Sequence, residues 1–377
     1  MEILVSQESL LSLIKVFFLI SVALQLAFLI GVYGRLAFFR SQETKKNLMP
    51  VSVIIAARNE EENLEKNLPL FLGQDYSDFE VIVVNDGSWD DSIDVLRGFE
   101  KQFNRLRVVN IPVNDDYEGG KKYAITLGVK AAKNNRLVFT DADCQPFSDQ
   151  WLKTMVSAAT NEDSIILGYS PYKRSDGLLN KLIRFDNLTT AMNYLSLALC
   201  GVPYMGVGRN LSYSKRDFYS VGGFKSHYRL LSGDDDLMIN QIAHRRNTTV
   251  CIEKDAIIET NPKETWKEYW LQKRRHLTTG HRYKLFHRLI LSIEPISVLV
   301  FWTSAIVLIT SGTWVEIALA AIATRVLIQF LIFSRSARWL GQQDLIIFAP
   351  VFEIAIILLT AVVHLVNATS NKVTWKT

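Results

Sequence analysis

The chain has 377 residues, a net charge of +4 and no basic or aromatic-basic stretch of the kind that reads nucleic acid, which sets polynucleotide partners aside. Its three cysteines, Cys144, Cys200 and Cys251, are odd in number and lack metal-site or CxxC spacing. That argues against a disulfide framework or a zinc site and for free thiols in a reducing compartment. Hydrophobic residues at 49% and a mean hydropathy of +0.11 are high for a wholly soluble chain with 21% charged residues, and the excess lies at the two ends.

In chain order, Leu10 to Tyr33 is apolar except for Lys15, Gln25 and small hydroxyl residues, and is long enough to cross a hydrocarbon core of about 30 Å. Glu2 and Glu8 stand where a secretory signal would be basic, and no small-x-small cleavage site follows. The segment therefore reads as an uncleaved transmembrane helix.

Val51 to Ala57 is an apolar run ending in Arg58-Asn59-Glu60, after which Leu64, Leu68 and Leu72 take helical spacing. This predicts strand, loop and helix, with Asn59 and Glu60 over the strand's carboxyl edge. Phe79 to Val84 repeats the pattern and ends in Asn85-Asp86-Gly87-Ser88, where Asp86 is either a second carboxylate at that edge or a turn residue. A helix over Asp91 to Phe99, a strand over Leu106 to Ile111 and a helix opened by Gly119-Gly120-Lys121-Lys122 follow. That helix carries a lysine at its start, Lys121, with Lys122 beside it. The next run, Leu137 to Thr140, ends in Asp141-Ala142-Asp143. Two carboxylates at a strand end invite a hard divalent cation, against the alternative of a turn or helix cap. Alternating strands and helices mean a parallel sheet covered on both faces, although neither GxGxxG nor a Walker loop occurs.

Beyond it, Trp151 to Ala159 predicts a helix, Ser164 to Tyr169 a strand, and Leu178 to Leu199 an apolar-striped helix serving either the core or a membrane surface. Gly206 and Gly208 allow close backbone approach to a ligand or form a simple turn, and Arg209 suits a phosphate or sugar. Asp234-Asp235-Asp236 is a run of mutually repelling carboxylates before the helix Leu237 to His244, an arrangement rarely left without use. Three further apolar segments, Leu289 to Thr310, Val315 to Phe333 and Leu345 to Val366, close the chain; Glu294-Pro295 is read as a possible interfacial start to the first. Basic residues Arg35, Arg40, Lys45, Lys46, Arg282, Lys284, Arg288, Arg335 and Arg338 fall on one side of these helices. The positive-inside rule then places the central region in the cytoplasm and Met1 outside, in an inner (cytoplasmic) membrane.

The succession Ala57-Arg58-Asn59-Glu60, Asn85-Asp86-Gly87-Ser88, Gly120-Lys121 with Ala124-Ile125, and Asp141-Ala142-Asp143 resembles the GT-A fold of family 2 glycosyltransferases. So do Gly206-Val207-Gly208-Arg209-Asn210, Ser232-Gly233-Asp234-Asp235-Asp236-Leu237 and Gln272-Lys273-Arg274-Arg275-His276. The flanking helices are similar to the membrane-integrated branch that includes cellulose, chitin and hyaluronan synthases. The resemblance implies an α/β chain: residues 1–41 with one transmembrane helix, a cytoplasmic GT-A domain with a Rossmann-like, mostly parallel sheet over 42–288, and about three helices over 289–377. It implies inverting transfer of a sugar from a nucleotide sugar, UDP-linked, to a lipid or polysaccharide hydroxyl, in single or processive additions, with Mg²⁺ or Mn²⁺. Asn59, Glu60, Asp86, Lys121 and Asp141 would hold the nucleotide, and Asp143 with Asp141 the metal. Gly208, Arg209, Gln272 and Arg275 would face the acceptor or diphosphate. The general base falls on Asp234 or Asp235 according to the register chosen, with Asp234 preferred. His276 departs from the tryptophan usual in processive members. A reading of another class is a catalytically inactive, nucleotide-binding membrane scaffold.

Overall fold

The computed structural model describes residues 7–41, 49–112 and 120–369; Met1, Glu2, Lys45, Lys46 and Gly119, used above, lie outside them. The chain forms two compact units, divided after Phe39 and before Tyr283.

The first unit opens with α1 (Gln7–Leu26), continued by a π-helical stretch (Ala27–Tyr33) and α2 (Gly34–Ala37). The second unit then runs β1 (Val51–Ala57), α3 (Glu61–Leu72), β2 (Phe79–Asp86), α4 (Ser92–Gln102), β3 (Leu106–Ile111), α5 (Lys121–Ala131) and β4 (Arg136–Asp141). These strands are parallel and adjacent in the order β3-β2-β1-β4. Their apolar runs are continuous because helices cover both faces: every residue of β2 is buried. Phe71 of α3 meets Trp151 edge to face at 5.5 Å inside the core.

Further along come β5 (Cys144–Pro146), α6 (Trp151–Ser157), β6 (Ile165–Leu167), α7 (Leu178–Leu199), β7 (Leu211–Ser214), α8 (Lys215–Ser220), α9 (Asp236–Ile242), β8 (Thr248–Val250), β9 (Ile258–Thr260) and α10 (Trp266–His276). The sheet extends as β4-β7-β6-β8, with β7 antiparallel to both neighbours, and β5 pairs with β9 in a small second sheet. Strands β5, β7, β8 and β9 were not predicted: at three or four residues each they carry too little pattern to read. Helix α7 buries Phe185, Leu188, Met192 and Leu195, so its stripe is core.

The first unit resumes with α11 (Leu285–Thr310), α12 (Val315–Trp339) and α13 (Ala349–Thr369). Four helical spans, Glu8–Ala37, Leu285–Thr310, Val315–Trp339 and Gln343–Thr369, are long and apolar enough to cross a membrane. Helix α11 starts at Leu285, four residues before the expected Leu289, and runs through Pro295, so the alternative start at Glu294-Pro295 is not taken. The arginine in the middle of α12 is absorbed inside the bundle. Arg325, its side chain 1% exposed, bonds Glu353 of α13 at 2.6 Å, Gln25 of α1 at 3.1 Å and Gln329 at 3.1 Å. Gln329 also donates to Glu353, and Gln25 to Ser297 of α11. One polar network thus joins all four spans, as intramembrane charge requires.

Candidate active site

The parallel strands all point their carboxyl ends to one edge, where open α/β sheets gather ligands. Strand β4 delivers Asp141 there, and a turn carries Asp143 just beyond it before β5 begins. Helix α5 starts at the same edge, and its first residue reaches two carboxylates: Lys121 Nζ lies 2.7 Å from Asp141 Oδ1 and 3.3 Å from Asp234 Oδ2. Lys121, Thr140, Asp141, Gly208, Asp234 and Asp235 line one cleft. Acids nearly a hundred positions apart in sequence therefore meet around one ammonium.

The three consecutive aspartates have three different surroundings. Asp234 faces Lys121. Although burial works against its charge, Lys121 and then Lys122 outweigh it and hold the Asp234 carboxyl below the usual carboxylate range. Asp235 caps α9: Oδ1 accepts from the Asp236 N–H at 2.7 Å, and Oδ2 from the Gly208 N–H at 2.8 Å. Burial, with the charges of Asp234 and Asp236, pushes Asp235 up to about 7. Asp236 accepts from the Thr279 hydroxyl and the Leu237 N–H. Gly208 owes its place to this packing, since a Cβ there would stand 3.3 Å from that of Asp235.

Asn59, Glu60 and Asp86 sit on the loops at the same edge. Asn59 takes a left-handed φ of 55°, donates its N–H to Ser88 Oγ at 2.9 Å and accepts from the Trp89 N–H at 3.0 Å. Its loop is thereby tied to the one after β2. Asp86 is buried and accepts from the Gly120 N–H at 2.9 Å, which fixes the entry to α5. Burial, and the carboxylates Asp143 and Asp141, raise Glu60.

On another side, Arg209 lies over the Tyr172 ring at 4.7 Å, and Gln272 donates to the Tyr172 hydroxyl at 3.2 Å. Helix α10 is held by Asp186 of α7, which receives Lys273 at 2.5 Å and the Tyr269 hydroxyl at 2.8 Å. Arg275 lies in the last turn of the same helix, and His276, its last residue, is exposed.

Sequence reasoning missed Tyr172, Asp186, Thr140 and Thr260. The Thr140 hydroxyl is buried at the cleft and has no hydrogen-bond partner among the described residues. Thr260 donates to Asp143 Oδ2 at 3.0 Å and so orients that carboxylate. A lone threonine at the end of an apolar strand carries no signal of its own.

Asp141 and Asp143 supply hard carboxylate oxygens, and no group of three or more His, Cys, Asp or Glu side chains among the described residues forms a complete cage. That donor set fits Mg²⁺ or Mn²⁺, which take one or two protein carboxylates and complete their shell with water and substrate phosphate.

A mostly parallel sheet with an acid-lined cleft at its carboxyl edge is the GT-A arrangement. The chain superimposes on the mannosyltransferase PcManGT from Pyrobaculum calidifontis, solved with GDP-Man and Mn²⁺, with a TM-score of 0.56 at 17% identity, over 90% of this chain and 99% of that one. Residues 52–219 match the model of Glycosyl transferase family 2. It is 33% identical over 187 residues to the glycosyltransferase AglE of Haloferax volcanii, covering 49% of this chain and 58% of the relative. It is also 29% identical over 208 residues to the 4,4'-diaponeurosporenoate glycosyltransferase of Staphylococcus aureus, covering 52% and 53%. The matches thus span little more than half the length of these curated relatives.

Proposed function

We propose that the chain is a membrane-anchored glycosyltransferase that moves a sugar from a nucleotide sugar to a hydroxyl of a lipid or glycan, with inversion at the anomeric carbon. The observation that carries this reading is the convergence of Asp141 and Asp234 on Lys121 in a cleft that Asp235 also lines. Asn59, Glu60 and Asp86 stand where the nucleoside would lie. Asp143 and Asp141 would hold Mg²⁺ or Mn²⁺, which when bound neutralises the leaving diphosphate. Lys121 adds a second positive charge beside the same group, and Arg209, Gly208, Gln272 and Arg275 face the diphosphate or acceptor.

The base is assigned to Asp235 rather than to the Asp234 preferred from sequence. A general base works best with a proton affinity near the operating pH, and Asp235 is raised towards that range while Asp234 is lowered by its lysine. The two N–H donors also fix the Asp235 carboxylate without occupying all its lone pairs. It would take the proton of the acceptor hydroxyl as that oxygen attacks the anomeric carbon opposite the departing diphosphate. One displacement inverts the configuration, so an α-linked donor gives a β-linked product.

The donor is proposed to be UDP-linked; the GDP-mannose in the Pyrobaculum structure makes GDP-sugars the other set to test. We place the catalytic domain in the cytoplasm and the N-terminus outside, on the distribution of basic flanks. The decisive experiment incubates membranes containing the protein with UDP- and GDP-sugars, measures nucleotide release and weighs the products. Product of one defined mass means single addition and a ladder means a polymer. Nucleotide binding without release or transfer from any donor would leave a scaffold and end the enzymatic reading.

A further inference from the structure

The lysine next to Lys121 has a separate task. Lys122 is 6% exposed, and its Nζ donates to three backbone carbonyls: His227 at 3.0 Å, Leu230 at 2.6 Å and Ser232 at 2.6 Å. All three protons of the ammonium are thereby used, and none of its partners is a carboxylate. The carbonyls belong to the loop that leads into Gly233 and the aspartates. Gly233 has a φ of +101°, and a Cβ there would lie 2.7 Å from Leu237 Cδ1, so the loop makes its final turn in a conformation few other residues accept. Helix α5 consequently grips the acid segment twice: through Lys121 at the Asp234 side chain, and through Lys122 at the backbone just before it.

The two grips respond differently to a donor. An incoming diphosphate competes with Asp234 for Lys121, whereas nothing in the cleft competes for carbonyls already bonded to a buried ammonium. We infer that Lys122 is a positioning residue for sugar transfer: by holding the 227–232 loop it keeps Asp234 and Asp235 in place when Lys121 turns to the diphosphate. This rests on the reading of the aspartates as the site of the base. Burying an ammonium whose hydrogen bonds all go to neutral carbonyls is costly: desolvation holds Lys122 below the usual lysine range, and the charges of Asp234, Asp236 and Asp235 offset that only in part. A methionine would fill the same space without that cost. Lys122 therefore trades stability for loop geometry, which separates it from an ordinary core residue.

The test compares Lys122→Met and Lys122→Arg with wild type in detergent, reading thermal stability, donor KM, kcat and amide hydrogen exchange of segment 226–236. The expected result for Lys122→Met is a folded protein with kcat down at least tenfold, donor KM changed less than threefold and exchange in 226–236 at least tenfold faster, magnitudes of about 1.4 kcal/mol per tenfold. Lys122→Arg, which still donates to carbonyls, should recover part of both. Unchanged kcat and unchanged exchange in Lys122→Met would overturn the inference. So would a rise in KM alone, which would make Lys122 a donor contact. If Lys122→Met does not fold, Lys122→Arg decides by the same two readings. If wild type transfers from no donor, the enzymatic reading fails, and the exchange measurement still decides whether Lys122 holds the loop.

Discussion

Asp235→Asn is the sharpest test of the proposed chemistry, because asparagine keeps the shape and removes the ability to take a proton. Asp235 accepts from two N–H groups, those of Gly208 and Asp236. An asparagine can satisfy only one of them with its oxygen, and its NH₂ must face the other, donor against donor. One unsatisfied buried N–H costs about 1–3 kcal/mol. Relief of repulsion with Asp234 and Asp236, which with burial raises Asp235, offsets part of this cost. The variant should therefore fold, with a melting temperature lowered by a few degrees, since about 1 kcal/mol shifts a domain of this size by roughly 2–4 °C. Turnover should fall by about 10²–10⁴, or roughly 3–5 kcal/mol of transition-state stabilisation. Nucleotide affinity should scarcely change. The pH profile gives a second reading: the base acts deprotonated, so wild-type turnover should climb as pH rises through about 7 and level off above it. That limb should vanish from whatever activity Asp235→Asn keeps. The assay is nucleotide release from the preferred donor, with melting followed on the same samples. Wild-type turnover in Asp235→Asn, with Asp234→Asn inactive and its nucleotide affinity intact, would move the base to Asp234 and refute the electrostatic argument.

Asp143→Ala should bind UDP or GDP by calorimetry no better than wild type does with metal chelated, and unchanged metal-dependent affinity would remove Asp143 from the site. A membrane-impermeant thiol reagent applied to intact cells should label Ser311→Cys, between α11 and α12, and leave Arg338→Cys, at the end of α12, unlabelled; the reverse pattern would invert the topology. In the bundle, Glu353→Ala strands a buried guanidinium and should cost about 3–5 kcal/mol by thermal unfolding in detergent, whereas Arg325→Leu with Glu353→Leu together should recover most of it. Equal losses in the single and double variants would show that the pair is not what holds the helices.

The sequence was most readable where burial is two-sided. β1 and β3 have the predicted bounds, Val51–Ala57 and Leu106–Ile111, while β2 and β4 run one or two residues further, into the polar ends that matter. A strand buried on both faces reads as a near-continuous apolar run, so the polar cluster that closes the run marks the sheet edge. That rule is why Asn59, Asp86 and Asp141 could be named before any coordinates. Helix ends were harder: α11 begins before Glu294-Pro295 because Leu285 to Arg288 already continue the helix, and a proline within a long span is tolerated there.

Side-chain choices between neighbours were not readable, and two adjacent residues at each end of the cleft show why. On a helix, consecutive residues point about 100° apart, so Lys121 and Lys122 bond to different groups. Which of them faces the acids depends on the rotation of α5 about its axis, and that rotation is set by distant contacts such as the Asp86 carboxylate on the Gly120 N–H. The same holds at the aspartates. Asp234 precedes α9, Asp235 caps it and Asp236 is its first residue, so a single step along the chain changes the partner from a lysine to two backbone amides to a threonine hydroxyl. Charge at both places was visible in the sequence as composition. Its division into an ion pair, a raised carboxyl and a loop clamp arises only when α5, the Gly208 turn and the 227–232 loop meet. Chemistry at this site therefore resides in the register between segments, and substitutions that rotate α5 should disturb transfer even where every acid is retained.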